Sequence, residues 1–87
     1  MDVIDQARRY IAKIDPAVSG ANGHDKTYHV AAILVEGFAL SRSDARALLI
    51  EYSQRCQPPW SEREIEHKLD DAERKSDPAK RGKLIRK

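Results

Sequence analysis

The sequence predicts an all-α protein, a small four-helix bundle with a flexible basic C-terminal tail. Apolar residues recur at the three- and four-residue spacing of helices, and no alternating β-branched run indicates a strand. Ser41 and Ser61 each precede an acid by three residues, which is the spacing of a helix capping box. The 87 residues are enough for one domain, which we place at residues 1–75, with residues 76–87 as a basic linker or tail.

The first helix is predicted over residues 2–14, with Asp2 as its cap. One face carries its apolar residues, which are Val3, Ile4, Ala7, Tyr10, Ile11 and Ile14. The Asp15-Pro16 pair ends this helix, because proline has no N–H to donate and disfavours a helical conformation in the residue before it.

The second helix is predicted over residues 25–39, with Asp25 as its cap. Residues 30–35 are all apolar and leave only a thin polar stripe along the helix. A helix that is apolar nearly all round is normally buried on all sides. We therefore expect this helix to be the central one.

The third and fourth helices are predicted over residues 42–55 and 61–75. Their core faces comprise Ala45, Leu48, Leu49 and Tyr52 in the third helix and Ile65, Leu69 and Ala72 in the fourth. Trp60 directly precedes the Ser61 cap, which favours a hydrophobic staple between Trp60 and Ile65. The alternative role for this indole is stacking on a nucleic-acid base.

Composition limits the cellular locations and binding partners that are expected for the chain. The formal net charge is +2, but it is unevenly distributed: residues 74–87 carry +6 and residues 1–73 carry −4. Cys56 is the only cysteine, so an internal disulfide is excluded and a reducing cytoplasm is the expected location. No apolar run approaches the roughly 20 residues of a membrane span, and no membrane association is expected.

A glycine-punctuated polar loop, residues 19–27, leads into the second helix. A helix start presents unpaired N–H groups and a partial positive charge, which together favour a phosphate or carboxylate ligand. The candidate contacts are Gly23, His24, Lys26 and Thr27, which offer a close backbone approach, a titratable imidazole, a cation and a hydroxyl. The alternative is a turn that only caps the helix.

Metal binding and catalysis find little support in the sequence. The candidate metal or acid–base residues are His24, Asp25, His29, Cys56 and His67. A zinc site normally contains closely paired ligands such as C-x-x-C or H-x-x-x-H, and neither pair is present. No base adjoins the cysteine in the sequence to activate it. We expect no metal, no cofactor and no catalytic residue in this chain.

A basic stripe is predicted on the fourth helix. Arg63, His67 and Arg74 recur at i, i+4 and i+11, which places them on one face. Arg63 and His67 are therefore candidate contacts for a nucleic acid or nucleotide. Acids occupy the neighbouring faces, so an ordinary solvated helix is the competing interpretation.

Two motifs together carry a family resemblance. Residues 23–27 read Gly-His-Asp-Lys-Thr and are followed by the apolar helix; residues 54–65 read Gln-Arg-Cys-Gln-Pro-Pro-Trp-Ser-Glu-Arg-Glu-Ile. The chain resembles the small helical domain found C-terminal to the catalytic part of phage, plasmid and mobile-element primases and primase–helicases. The resemblance covers about residues 7–75. The second motif is the more specific, and it departs from the family pattern only by Ile65 in place of leucine.

The resemblance implies a helix bundle that helps a primase to hold its template and initiating nucleotides, without supplying the polymerase carboxylates. The implied partners are single-stranded DNA, a nucleotide, and the catalytic primase or helicase domain of the same protein, with the domain itself expected to be monomeric. Because residues 1–73 are acidic, contact should be local, at the loop with Lys26 or in the tail. A structural adaptor that joins a catalytic domain to a helicase or another partner is the alternative. A His-Asp phosphohydrolase is a distant third.

Overall fold

The computed structural model describes residues 2–18 and 23–86, apart from the side chain of His24. The elements, in chain order, are α1 (Val3–Ala12), α2 (Gly23–Ala32) with a π-helical continuation (Ile33–Gly37), α3 (Arg42–Ser53), α4 (Glu62–Lys75) and a short 3₁₀ turn (Pro78–Lys80). Within these ranges the only β pairing is an isolated bridge between Val18 and Gln57. The predicted all-α bundle of four helices is confirmed. No helix in this described part has both the length and the apolar character needed to cross a bilayer.

Three predicted helix caps are present. The Asp2 carboxylate accepts the Ile4 N–H at 3.1 Å, and the Ser41 hydroxyl accepts the N–H three residues on, at 3.3 Å. At Ser61 the capping box is complete, because the Glu64 side chain also accepts the Ser61 N–H. Each cap satisfies N–H groups that have no partner inside the helix. Three helices therefore begin within one residue of their predicted starts.

The second helix starts earlier and ends differently from the prediction. It begins at Gly23, so Asp25 lies within the first turn and is not the cap, which corrects that assignment. Beyond Ala32 the helix widens into a π-helical turn, closed by a bond from the Phe38 N–H to the Ile33 carbonyl at 3.0 Å. Ala39 then adopts a left-handed conformation with φ 50°, and the chain reverses into α3.

This long second helix is central, as its apolar sequence predicts. Val30, Ala31 and Leu34 are fully buried, and Val35 is almost so. The helix packs against both α3 and α4, and its π-helical turn also contacts the 3₁₀ turn near the C-terminus. Burial on several sides explains why apolar residues follow one another without a polar face.

The segment after α4 does not form a flexible tail. The Gly82 N–H donates to the Glu36 carbonyl at 2.8 Å, and the Leu84 N–H donates to the Gly37 carbonyl at 2.9 Å. Leu84 and Ile85 pack against the hydrophobic core. The prediction of a free tail is corrected for residues 76–86, because two apolar side chains and the exposed carbonyls of the π-helical turn dock this segment on the bundle.

Docking of the tail depends on the absence of a side chain at Gly37. A Cβ placed on Gly37 would lie 2.5 Å from Leu84 Cδ1 and 3.1 Å from Leu84 Cγ. Carbon atoms in contact are normally about 3.5–4.0 Å apart. The leucine therefore occupies space that only glycine leaves open.

A polar corner joins the end of α1 to the end of α3. The Tyr52 hydroxyl donates to the Asp15 carbonyl at 2.9 Å, and the Arg55 guanidinium donates to the carbonyls of Ile11 and Ile14 at 3.0 and 3.2 Å. These bonds tie the end of α3 to carbonyls at and just beyond the C-terminal end of α1. Burial, assisted by the adjacent Cys56, raises the pKa of Tyr52 to about 12.

Tyr52→Phe is expected to lower the free energy of unfolding by about 1 kcal/mol at neutral pH, because one hydrogen bond is lost. The folded-state pKa of about 12 exceeds the ordinary value of 10.0, so burial of the neutral phenol stabilises the protein below pH 10 and this contribution is lost as the pH rises to 12. The difference between wild type and variant should therefore shrink between pH 10 and 12. Denaturant unfolding across this range measures it, with Tyr10→Phe at an exposed site as the control. A difference that does not change with pH would contradict the assignment.

Gly37→Ala is expected to displace Leu84 and to undock the tail. The measurement is hydrogen exchange at the Leu84 and Gly82 amides, which should lose protection while amides of α3 keep theirs. Gly23→Ala is the matched control, because a Cβ there would meet its neighbours at ordinary distances of 3.4–3.7 Å. Unchanged protection in Gly37→Ala would show that the tail is held by other contacts.

Candidate nucleic-acid interface

The two sequence motifs that carry the family resemblance lie next to each other. The Gln57 N–H donates to the Ala17 carbonyl at 3.0 Å, and Gln57 forms the isolated parallel bridge with Val18. The turn after α3 is therefore paired with the segment that enters the glycine loop. Because the pairing uses backbone groups, it fixes the relative position of the two motifs.

Trp60 connects this pairing to the start of α2. Its backbone N–H donates to the Ser53 hydroxyl at 2.7 Å, and a Cβ on Gly23 would lie 3.7 Å from its Cζ2 atom. The indole is partly buried and packs against the hydrophobic core, as a hydrophobic staple would. We call the set formed by Ala17, Val18, Gly23, Gln57 and Trp60 the motif junction.

Lys68 extends the motif junction onto α4. Its Nζ atom lies 5.4 Å from the centroid of the Trp60 ring, within the range of a cation–π interaction. The residue is only 8% exposed, so its aliphatic stem is covered while its charge meets the indole. Lys68 was not among the predicted site residues, because its partner Trp60 precedes α4 and lies outside it. The spacing of Lys68, three residues after Ile65 and four before Ala72, places it on the buried face of α4 and is the signal that the sequence offers.

A groove of about 530 Å³ lies on the surface of α4 beside Lys68. The described residues that line it are Arg63, Glu64, Glu66, His67, Lys68 and Asp70. The structure thus brings the predicted contacts Arg63 and His67 together in one groove and adds Lys68 to them. We call it the α4 groove.

The acidic residues of the α4 groove are mostly held by arginines of α3. Glu66 accepts from Arg42 at 2.7 Å and from Arg46 at 2.6 Å, and Asp70 accepts from Arg42 at 2.9 Å. Arg42, and next Arg46, lower the pKa of Glu66 below its ordinary value. Hydrogen bonds from Arg42 to Glu66, and next to Glu73 and Asp70, raise the pKa of Arg42. Glu66 and Asp70 are therefore each paired with an arginine of α3, which offsets part of the negative charge of the groove.

The basic residues of the groove differ in their surroundings. Arg63 is exposed and makes no ion pair within the described part of the chain. His67 is also exposed, and its Nε2 atom lies 3.5 Å from an Asp71 carboxylate oxygen that it would pair with when protonated. Asp71 also pairs with Arg74. Arg63 is the cation of this groove that is best placed to meet an incoming anion.

The described candidate contacts of the glycine loop differ in how exposed they are. Gly23 is the first residue of α2, and Lys26 in its first turns is half-buried without an ion pair among the described residues. Thr27 is fully buried, and its hydroxyl has no hydrogen-bond partner among the described residues. Thr27 is removed from the exposed contacts because it shares the core face of α2. The His24 side chain and residues 19–22 lie outside the described part.

Asp25 affects how the start of α2 would meet an anion. It is exposed in the first turn, where its carboxylate interacts favourably with the helix dipole. The same charge repels a phosphate that approaches the first-turn N–H groups. The helix start therefore offers less attraction for an anion than the loop sequence suggests.

Metal ligands are not clustered in the described residues, which contain no group of three or more His, Cys, Asp or Glu side chains that would hold an ion. Comparisons with protein-family models, with curated proteins and with solved structures each returned no match.

Glu66→Gln is expected to lower the free energy of unfolding by about 1 kcal/mol or less at neutral pH, because its ion pairs are partly exposed. The folded-state pKa of Glu66 is lowered, so its contribution is present above the unfolded-state pKa and is lost as the pH falls through the folded-state value. The difference from wild type should vanish in acid. Denaturant unfolding at several pH values measures this.

Glu62→Gln is the matched control for Glu66→Gln. Its carboxylate lies 3.8 Å from Arg46 and is far more exposed, so the change in stability should be smaller. An equal effect of the two variants at neutral pH would show that the Arg42–Glu66 contact adds nothing specific.

Proposed function

We propose that this chain is a non-catalytic accessory domain of a DNA primase. In this proposal it binds the template single-stranded DNA, the initiating nucleotide, or both, on the face formed by the motif junction and the α4 groove. The catalytic primase or helicase domain of the same cytoplasmic protein is its macromolecular partner, and the domain acts as a monomer.

The observation that carries the proposal is the position of Trp60. The indole lies between the start of α2 at Gly23 and the Lys68 cation, at the point where the two motifs of the family resemblance meet. Single-stranded nucleic acid is commonly held by an aromatic side chain that stacks on a base beside cations that meet the phosphates. Trp60 supplies the aromatic group, and Arg63, Lys68 and the adjacent His67 supply the charge.

The adaptor alternative requires an apolar docking face, and the described surface gives it little support. Within residues 2–18 and 23–86, the large hydrophobic side chains that are exposed are Tyr10 and Val18. Tyr10 lies on α1 and Val18 lies on the segment before α2, so the two do not extend one helix face for a partner. The nucleic-acid proposal is therefore preferred.

Binding of a short oligothymidylate to the full chain tests the proposal. Trp60 is the only tryptophan, so its fluorescence reports directly on the motif junction. We expect the emission to be quenched on binding and the affinity to fall as salt rises, because phosphate neutralisation releases counterions. Arg63→Gln should weaken binding and lower the slope of log affinity against log salt by about 0.7 for a single strand.

Arg8→Gln is the matched control for Arg63→Gln. Arg8 is an exposed arginine that pairs with Asp5 and Glu51, away from the α4 groove, and its loss changes the net charge by the same amount. Arg8→Gln should leave the salt slope unchanged. If oligothymidylate and nucleoside triphosphate both fail to bind at low salt, the proposed function is wrong. Salt-insensitive binding to the catalytic domain alone would then favour the adaptor.

A further inference from the structure

The docked tail creates a second basic groove, remote in sequence from the two motifs. Its volume is about 250 Å³. The described residues that line it are Gln6, Arg9, Tyr10, Lys13, Phe38, Leu84 and Arg86. Three of these are cations and none is an acid. We call this groove the α1–tail surface.

The two ends of the chain are held together at this surface by a pair of hydrogen bonds. The Gln6 side-chain amide donates to the Arg86 carbonyl at 2.9 Å, and the Arg86 N–H donates to the Gln6 amide oxygen at 2.8 Å. Leu84 packs beside them against the core. The backbone of Arg86 is therefore fixed against α1, and its charge joins those of Arg9 and Lys13.

Tyr10 presents an aromatic ring among these cations. It is 43% exposed, which is unusual for a large hydrophobic side chain of this protein. Its ring meets the buried Phe38 ring edge to face, with centroids 5.5 Å apart and an interplanar angle of 70°. This contact holds the ring in place while much of its surface remains open to solvent.

The cations of this surface lack the neutralising partners found elsewhere on the protein. Arg9, Lys13 and Arg86 make no side-chain ion pair in the described part of the chain, whereas Arg8, their neighbour on α1, pairs with Asp5 and Glu51. Arg9 and Lys13 also lie near the C-terminal end of α1, where the helix dipole favours cations. The helix dipole makes this a favourable position for two cations, and their charge remains available to a ligand.

A neighbouring groove continues the basic surface on the other side of Leu84. It has a volume of about 240 Å³, and its described lining includes Lys80 and Lys83 with one acid, Glu36. Glu36 is engaged with the backbone N–H of Asp77. The docked tail thus forms a ridge with basic residues on both flanks.

We propose that the α1–tail surface binds the sugar–phosphate backbone of single-stranded DNA, with one base stacked on Tyr10. Adjacent cations fit successive phosphates, and an exposed, fixed aromatic ring beside them is the arrangement by which proteins hold single strands without reading sequence. The class of ligand in this inference rests on the proposed function. The inference places the strand on a different face of the domain from the α4 groove.

Oligothymidylate binding followed by anisotropy tests this assignment with three kinds of variant. Arg9→Gln combined with Lys13→Gln should lower the salt slope by about 1.4, for two phosphate contacts on a single strand. Tyr10→Leu, which keeps an apolar contact with Phe38, should weaken binding about fivefold or more through loss of stacking. Arg8→Gln, on the other side of α1, is the charge-matched control and should leave the slope unchanged. Thermal unfolding checks that each variant remains folded.

Gly37→Ala tests whether binding needs the tail docked on α1 or only the positive charge that the tail carries. It leaves every cation in the chain but removes the space that Leu84 occupies, so binding should weaken about as much as in Tyr10→Leu. Unchanged affinity in both variants would overturn the inference, as would an effect of Arg8→Gln equal to that of the double variant. Preferential binding of an acidic peptide or an anionic vesicle over oligothymidylate would also overturn it.

The outcomes for the two faces are distinguishable. Loss of binding in Arg63→Gln with wild-type behaviour in the Arg9 and Lys13 double variant would support the proposed function and reject the α1–tail surface. The reverse result would support single-stranded DNA binding at the α1–tail surface and reject the α4 groove. If wild type binds no oligothymidylate at low salt, the α1–tail inference fails, and the proposed function fails as well only if a nucleoside triphosphate also does not bind.

Discussion

A helix that is apolar on nearly every side has to be enclosed, and the enclosure of α2 determines the positions of the other elements. α3 and α4 cover two sides of it, and the tail covers the π-helical turn at its end. The closeness of that last contact depends on Gly37, where a side chain would collide with Leu84. Because protein interiors are close-packed, this one missing side chain allows the C-terminal segment to become part of the core.

The same enclosure brings together residues that are far apart in sequence. The segment before α2 pairs with Gln57 of the turn before α4, and Gly23 at the start of α2 lies beside Trp60. The aromatic group, its cation Lys68 and the helix start therefore adjoin one another as a consequence of packing. The motif that spans the turn after α3 and the start of α4 is therefore explained first by packing, and the position of Trp60 beside Lys68 is what supports the proposed function.

Sequence periodicity and capping residues predicted the helices well, because both act within a few residues. The π-helical turn and the docked tail were not predictable, since the tail depends on a steric match between Gly37 and Leu84. In the candidate site, the i, i+4 spacing predicted Arg63 and His67 on one face of the fourth helix, and both line the α4 groove; their role as contacts stays a prediction. Thr27 was misjudged because its neighbours in the loop are polar, although its spacing from Val30 and Ala31 matches the buried face of α2.

The distribution of ion pairs resolves the conflict between an acidic body and an anionic ligand. The negative net charge of residues 1–73 suggests repulsion of DNA. Many of the acids, however, form ion pairs within the domain: Arg42 alone pairs with Glu66, Asp70 and Glu73. Interactions between exposed charges fade over roughly 10 Å at ordinary ionic strength. A phosphate bound at the proposed α1–tail surface would therefore respond mainly to the unpaired cations around it. Folding of the tail onto α1 concentrates those cations, which makes the docked segment the element that gives this protein a basic face.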